Sequence, residues 1–234
     1  MINFDWSGIL KSNGYAQRNR PTKNTGTGDG PWNCEGTDQK IPATLENGIN
    51  QYDEEAKNKL RQLYNKKQNS AEICKFVPAS GAASRMFKKI YEVLAAYDGS
   101  EEKYLELLTD RSPQSVFFIC ENIHDFAFYG DLATICSEKG DCIENKFKKK
   151  DYVGALELIV SEKGLNYGNY PKGLIKFHKY KNEVRTALEE HLAEGAMYAK
   201  SKKSVNIHFT VSSEFYDDFK QHIEEVKPKY EERF

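Results

Sequence analysis

Two short strand patterns lie far apart in the chain, and they restrict the possible folds more than any other feature. Residues 73–77 read Ile-Cys-Lys-Phe-Val, a short apolar run that predicts a buried strand. Residues 205–211 alternate apolar and polar side chains, which is typical of a strand. Helical periodicity follows each pattern, and this order predicts a parallel α/β sheet with crossover connections. Because a sheet usually has about five or six strands, we expect further strands in ambiguous segments or in chain beyond this sequence.

Composition and periodicity divide the chain into four parts. Residues 1–50 are rich in glycine, asparagine and threonine, which predicts an irregular segment, with a short helix in its first twelve residues. Residues 51–100 contain the first strand pattern and are predicted to begin an α/β domain. Residues 101–163 show helical surroundings and no convincing strand, which predicts a helical insertion, and residues 164–234 are predicted to continue the α/β domain.

Apolar residues at three- and four-residue spacing predict the helices next to the strands. One helix is predicted from Arg85 to about residue 97, and Ser84 is a candidate to cap it. Another is predicted over residues 183–198, with Val184 and Met197 on or near its apolar stripe.

Charge and hydropathy exclude several classes of protein. The 34 lysine and arginine residues nearly balance the 35 aspartate and glutamate residues, and the net charge of −1 argues against a nucleic-acid-binding arm. No window approaches the ~18 consecutive apolar residues of a membrane helix, and the first residues lack the basic and apolar regions of a signal peptide. We therefore expect a cytoplasmic protein that binds neither nucleic acid nor a membrane.

The cysteines argue for reduced thiols. There are five, an odd number, and no two of them form a Cys-x-x-Cys pair. This disfavours a disulfide framework and a zinc site. Cys74 and Cys120 lie in apolar runs and are predicted to be small core residues.

The segment between the first strand pattern and the next helix has the most chemical information. It is a run of small residues: Ala79, Ser80, Gly81, Ala82, Ala83 and Ser84. Small side chains let the backbone approach a ligand, and the exposed N–H groups of such a turn attract anions. Arg85 follows directly and can form paired hydrogen bonds with phosphate oxygens. The alternative is a tight strand-to-helix turn whose small residues serve only packing.

A second segment, residues 171–179, concentrates positive charge. It contains four cations if histidine is counted: Lys172, Lys176, His178 and Lys179. By itself this pattern is typical of a solvated basic loop. In combination with the first segment, Lys172 and His178 become candidates for phosphate contacts, as does Lys88 one turn after the arginine.

Residues 79–86, followed later by Pro171 and Lys172, resemble the signature of sugar nucleotidyltransferases. That signature is a glycine-rich loop ending in Gly-Thr-Arg-Leu, with a Pro-Lys pair further on. Ser80 and Ala83 stand where the signature has glycine, and either could narrow the approach of the loop to a triphosphate. The resemblance implies a Rossmann-like parallel sheet of the nucleotide-diphospho-sugar-transferase type.

The same segments are more closely similar to an uncharacterised bacterial family, the domain-of-unknown-function family 4301. The similarity rests on three strings: residues 75–88, residues 170–174 with 177–180, and residues 208–212. It runs from about Pro42 to Phe234. Because members of this family are longer, the resemblance implies that the chain is an incomplete N-terminal part of a longer fold.

The transferase resemblance implies a reaction and a set of roles. A sugar 1-phosphate attacks the α-phosphate of a nucleoside triphosphate and releases pyrophosphate, chemistry that depends on positioning and charge neutralisation. Residues 79–84 would hold the triphosphate, Arg85 the departing pyrophosphate, and Lys172 the α-phosphate or the sugar phosphate. Lys88 and His178 would add positive charge. The resemblance also implies Mg²⁺ as a cofactor, although no metal ligand is identifiable in the sequence.

Two other functions remain open at this point. A non-catalytic nucleotide- or phosphate-binding module is favoured by the substitutions at Ser80 and Ala83, and it predicts binding without pyrophosphate release. A structural domain, in which the loop is merely a turn, predicts no ligand. The base, the sugar and the oligomeric state are not specified by the sequence.

Overall fold

The computed structural model describes residues 3–5, 9–12, 43–45, 47–113, 115–202 and 204–234, which form a mixed α/β fold with a small sheet. Its strands are β1 (Asn3–Asp5), β2 (Ile9–Ser12), β3 (Cys74–Pro78), β4 (Lys176–Lys179), β5 (Val184–Thr186), β6 (Lys200–Ser201) and β7 (Ser204–Ser212). Its α-helices are α1 (Glu54–Lys67), α2 (Lys88–Ala96), α3 (Glu101–Thr109), α4 (Val116–Glu121), α5 (Tyr129–Glu138), α6 (Ile143–Lys148), α7 (Tyr152–Val160), α8 (Ala187–Tyr198) and α9 (Tyr216–Arg233).

Strand β7 is the centre of the sheet. It pairs in parallel with β1, β2 and β3, and antiparallel with β6. Phe209 and Thr210 pair with both β2 and β3, so these two strands lie along opposite edges of β7. The side chains at Val205, Ile207 and Phe209 are buried and those between them are half-buried, which confirms the alternation predicted for this strand.

Strands from an ambiguous segment do complete the sheet. Residues 3–5 and 9–12, for which the sequence predicted a short helix, form strands instead. Both strands pair with β7. They can be short because β7 supplies the partners for their backbone hydrogen bonds.

The first strand pattern forms β3, but the strand is not buried as predicted. Of its five residues only Val77 is buried, and the Phe76 side chain is 60% exposed. Cys74 is also exposed, so its predicted place in the core is wrong, whereas Cys120 is buried as predicted. Among the described residues β3 pairs only with β7, and the exposed Phe76 lies on the face of the strand opposite to the buried Val77.

Two helices differ from their predicted bounds. Helix α2 begins at Lys88, and the residues from Ser84 form a turn in which the Met86 N–H donates to the Ala83 carbonyl at 2.8 Å. The residue at the N-cap position is therefore Phe87, and the predicted cap at Ser84 is wrong. The stretch predicted as one helix over 183–198 contains β5, then a hydrogen-bonded corner, and then α8.

That corner explains where α8 begins. Thr186 caps the helix in a capping box, because its hydroxyl accepts the Glu189 N–H at 3.2 Å and the Glu189 carboxylate accepts the Thr186 N–H at 2.8 Å. Val184 consequently lies in β5, where it pairs with Lys179. Met197 is 75% exposed and does not belong to the apolar stripe.

Buried apolar residues form two clusters. The first, which we call the helical core, draws on α2 to α7 and includes Ala83, Phe87, Ile90, Leu132, Cys136, Ile143, Leu156 and Ile159. The second, the sheet core, lies between β7 and helices α8 and α9 and includes Val77, Leu188, Leu192, Val205, Phe209, Phe219, Ile223 and Tyr230. The described part of residues 101–163 contains helices and no strand, as the sequence predicts. Within the described ranges no helix is long and apolar enough to cross a membrane.

Candidate functional site

The structure places the loop of residues 79–84 directly against the Pro171–Lys172 segment. The Lys172 N–H donates to the Gly81 carbonyl at 3.0 Å, and the Ala83 N–H donates to the Tyr170 carbonyl at 3.2 Å. The start of the loop is held by the end of β7, since the Ala79 N–H donates to the Thr210 carbonyl at 2.8 Å. Backbone hydrogen bonds thus fix the loop between the sheet and a segment distant in sequence.

Within the loop, the buried and exposed residues separate clearly. Ala83 is fully buried in the helical core, so its methyl group faces packed side chains and does not narrow the exposed face of the loop. Ser80, Gly81 and Ala82 are exposed, and their N–H groups form no hydrogen bond with other described residues. A Cβ at Gly81 would meet no atom within 4 Å. The loop therefore presents unpaired donors to open space.

Two of the cations predicted to contact phosphate, Arg85 and Lys172, have no protein partner among the described residues. Arg85 and Lys172 are exposed, and neither side chain forms an ion pair or a hydrogen bond there. Lys88 is exposed as well, with its Nζ 3.6 Å from Glu92 Oε1. A free guanidinium and a free ammonium next to unpaired N–H groups make the loop a suitable place for an anion.

The predicted residues divide between two cavities. The smaller cavity, of about 110 Å³, is lined by Ala79, Gly81 and Lys172, together with Gly173 and His191. Its position at the carboxyl end of β3 is where ligands commonly bind in α/β sheets.

The larger cavity, of about 610 Å³, is lined by Arg85 and Lys88, with α4, α7 and β4 on its other sides. Ser80, Ala82, Ala83 and Ser84 line neither cavity. His178 also lines neither: it is exposed on β4, with its ring stacked 6.4 Å from that of Tyr180. The loop and Lys172 are therefore brought together, while His178 is placed elsewhere.

His191 is a residue of the smaller cavity that sequence reasoning missed. Its Nδ1 lies 3.3 Å from Glu194 Oε2, and the same carboxylate oxygen accepts a hydrogen bond from Lys75 Nζ at 2.5 Å. Burial, followed by the positive charge of Lys75, lowers the pKa of His191 below its ordinary value of 6.5, so the ring is neutral at pH 7. A neutral imidazole held by a carboxylate can exchange a proton or a hydrogen bond with a ligand. The spacing of three between histidine and glutamate on a helix was the only sequence signal for this pair.

Among the described residues, no group of three or more His, Cys, Asp or Glu side chains is arranged to hold a metal ion. Asp131, the carboxylate that contacts the Pro171–Lys179 segment, forms an ion pair at 2.7 Å with Lys176.

Comparison with known proteins identifies a family. A family model described as Domain of unknown function (DUF4301) matches residues 34–234, starting somewhat before the residue 42 expected from the sequence. Comparisons with curated proteins and with solved structures found no match.

Proposed function

The chain belongs to the DUF4301 family, and from this premise we propose that it binds the phosphate groups of a nucleotide or sugar phosphate at the loop of residues 79–84. The observation that carries the proposal is the pairing of this loop with Lys172 through backbone hydrogen bonds. The pairing places N–H donors that have no partner among the described residues next to the Lys172 ammonium group. The guanidinium of Arg85, likewise without a described partner, follows the loop.

Each group has a physical role in such a site. The N–H groups of the loop carry no net charge, but their dipoles can point toward phosphate oxygens. Arg85 can bind two oxygens of one phosphate, whereas Lys172 acts as a compact positive charge. Because the two cations line different cavities, they are suited to two different phosphate groups rather than to one.

The proposal extends to nucleotidyl transfer. An oxygen of the sugar phosphate attacks the α-phosphate of a nucleoside triphosphate, the bond to the β-phosphate breaks, and pyrophosphate leaves. Lys172 neutralises the phosphates that react, and Arg85 stabilises the charge of the departing pyrophosphate. The sequence signature supports this step, as does the order of β3, loop and α2, which is the order expected for a Rossmann-like domain of the nucleotide-diphospho-sugar-transferase type.

A thermal-shift panel tests the binding step. Nucleoside triphosphates and sugar nucleotides, with and without Mg²⁺, are added to the native chain and to the variants Arg85→Ala and Lys172→Ala. A ligand at ~100 times its dissociation constant should stabilise the fold by about 2.7 kcal/mol, and each variant should lose this shift. Arg61→Ala, which removes an exposed arginine on α1, is the matched control and should retain it.

The outcomes separate the possible functions. Absence of any shift in a cooperatively unfolding sample would contradict phosphate binding. A shift that depends on Arg85 and Lys172, combined with pyrophosphate release from a triphosphate and a sugar phosphate, would establish the transferase. The same shift without pyrophosphate release would instead identify a binding module.

A further inference from the structure

The larger cavity has a mainly apolar lining, unlike a site that binds polar ligands through many hydrogen bonds. Its volume of about 610 Å³ lies in the range of ~300–1,000 Å³ common for small-molecule sites. Most of the described residues that line it are apolar, and four are phenylalanines: Phe87, Phe126, Phe128 and Phe177. Among the described lining residues there is no hydroxyl, amide or imidazole side chain. Apart from the carboxylate of Asp125 and the cationic side chains, this lining offers no polar side chain to a base or a sugar, whereas its apolar majority can bury hydrocarbon.

Of the five charged residues that line the cavity, four are positive (Arg85, Lys88, Lys89 and Lys176) and one, Asp125, is negative. Lys176 is neutralised by its ion pair with Asp131 at 2.7 Å, and Lys89 lies 3.3 Å from Glu92. Arg85 alone among these cations has neither an ion pair nor a hydrogen bond to a described residue. It therefore offers an uncompensated charge for an anionic group.

Helix α2 strengthens the preference for an anion at this point. The helix begins at Lys88, which lines the cavity, and no side chain caps its N-terminus. The N–H groups of the first turn and the helix dipole therefore favour a negative charge close to Arg85.

We propose that the larger cavity binds the hydrocarbon chain of a single-chain phosphate monoester, with the phosphate group at Arg85. The inference rests on the proposed function in one respect, because both assign a phosphate to Arg85. It adds that one of the ligands of this site is amphiphilic, with an apolar body buried among the phenylalanines.

Titration calorimetry with butyl, hexyl and octyl phosphate tests this proposal. Each methylene buried in the cavity should tighten binding about fourfold, the factor that corresponds to ~0.8 kcal/mol. Arg85→Ala should weaken all three ligands by a similar factor and leave the dependence on chain length intact. 1-Octanol should bind more weakly than octyl phosphate, because it lacks the anionic group.

Two variants test whether the hydrocarbon chain of the ligand lies in the larger cavity. Ala127→Phe fills the cavity and should reduce the gain per methylene, whereas Ala95→Phe adds the same ring at an exposed position of α2 outside the cavity. Phe177→Ser removes an apolar wall at a residue that is 39% exposed, so folding should be retained. It should likewise reduce the gain per methylene.

Failure of this inference is distinguishable from failure of the proposed function. Equal affinities for butyl and octyl phosphate, or a chain-length dependence unchanged by both cavity variants, would overturn the hydrocarbon site. If nucleotides still gave thermal shifts that depend on Arg85 and Lys172, the proposed phosphate site would be supported and only the hydrocarbon site would be rejected. Loss of both responses in a folded sample would overturn both proposals.

Discussion

The helical core and the sheet core bury different kinds of side chain. In the helical core the buried residues are apolar or aromatic, with Ser115 buried beside it as the N-cap of α4. Next to the sheet core, charged side chains are buried as well: Arg185 is 7% exposed and Glu189 is 6% exposed. The buried side chains of the helical core are therefore mainly apolar, whereas the region of α8 and α9 also buries charged side chains that form ion pairs.

The ion pairs of the sheet region meet at Glu183, which precedes β5. Its carboxylate accepts hydrogen bonds from Arg185 and, at 2.7 Å, from Arg233. It also forms an ion pair with Lys229, whose Nζ lies 3.0 Å away. These partners hold the pKa of Glu183 well below its ordinary value of 4.5. Because the side chain is mostly buried, such a network connects β5 to α9 more strongly than isolated surface pairs do.

The candidate loop has contacts with both regions. Ala83 packs in the helical core, while Ala79 packs against the sheet core. The position of the loop therefore depends on both, and variants that weaken one region selectively show which of them controls the site.

The largest effect is expected from truncation in the helical core. Leu156 is fully buried in α7, and Leu156→Ala should lower the free energy of unfolding by about 3 kcal/mol through lost burial and a residual cavity. Chemical denaturation at pH 7 and pH 4 measures this change in the free energy of unfolding, which should be the same at both pH values. Leu105→Ala, at a residue 54% exposed, should change stability by no more than about 0.5 kcal/mol. A strong pH dependence of the Leu156 effect would contradict the division between the two regions.

A smaller effect is expected where the Pro171–Lys172 segment meets the sheet core. A Cβ at Gly173 would lie 2.6 Å from Cζ of Phe219, whose ring is fully buried in the sheet core. Gly173→Ala should therefore cost about 2 kcal/mol, as overpacking in a core commonly does. Gly81→Ala is the matched control, because its added methyl meets nothing within 4 Å. Equal melting temperatures of the two variants would disprove this close packing.

The smallest of the three effects is expected at Glu183, and it should depend on pH. Glu183→Gln should lower the free energy of unfolding at pH 7 by about 1.5 kcal/mol, the scale of a hydrogen bond to a charged group. Since the folded pKa lies below the unfolded one, this stabilisation is present above pH 4.5 and declines as the pH falls below that value. Denaturation curves from pH 7 to pH 3 should show the two proteins converging.

Its control is Glu106→Gln, which removes an exposed ion pair with Lys103. That variant should stay within about 0.5 kcal/mol of the native chain. A gap between Glu183→Gln and the native chain that widened toward acid pH would refute the sign of the pKa shift.

Local patterns in the sequence were enough to predict the elements whose burial repeats regularly. The alternation of Val205 to Val211 predicted β7, and the spacing of apolar residues predicted the helices after residue 101. The small residues before Arg85 also predicted a loop, whereas the association of Lys172 with that loop was implied by the family resemblance and not by a local pattern. Periodicity succeeds here because each element buries one face against a neighbour.

The tertiary structure alone determines which side chains are exposed, where helix α2 begins and which residues line each cavity, because these features depend on contacts between distant segments. Phe76 is apolar yet exposed, because it lies on the face of β3 opposite to Val77, the residue of this strand that is buried in the sheet core. Helix α2 starts only at Lys88, after a turn that follows the hydrogen bond from the Ala83 N–H to the Tyr170 carbonyl across the fold. The division of Arg85 and Lys172 between two cavities, and the place of His191 beside the loop, depend on contacts between distant segments. Residue spacing along the chain encodes local periodicity, but it does not specify which distant backbone group completes a hydrogen bond or covers an apolar face.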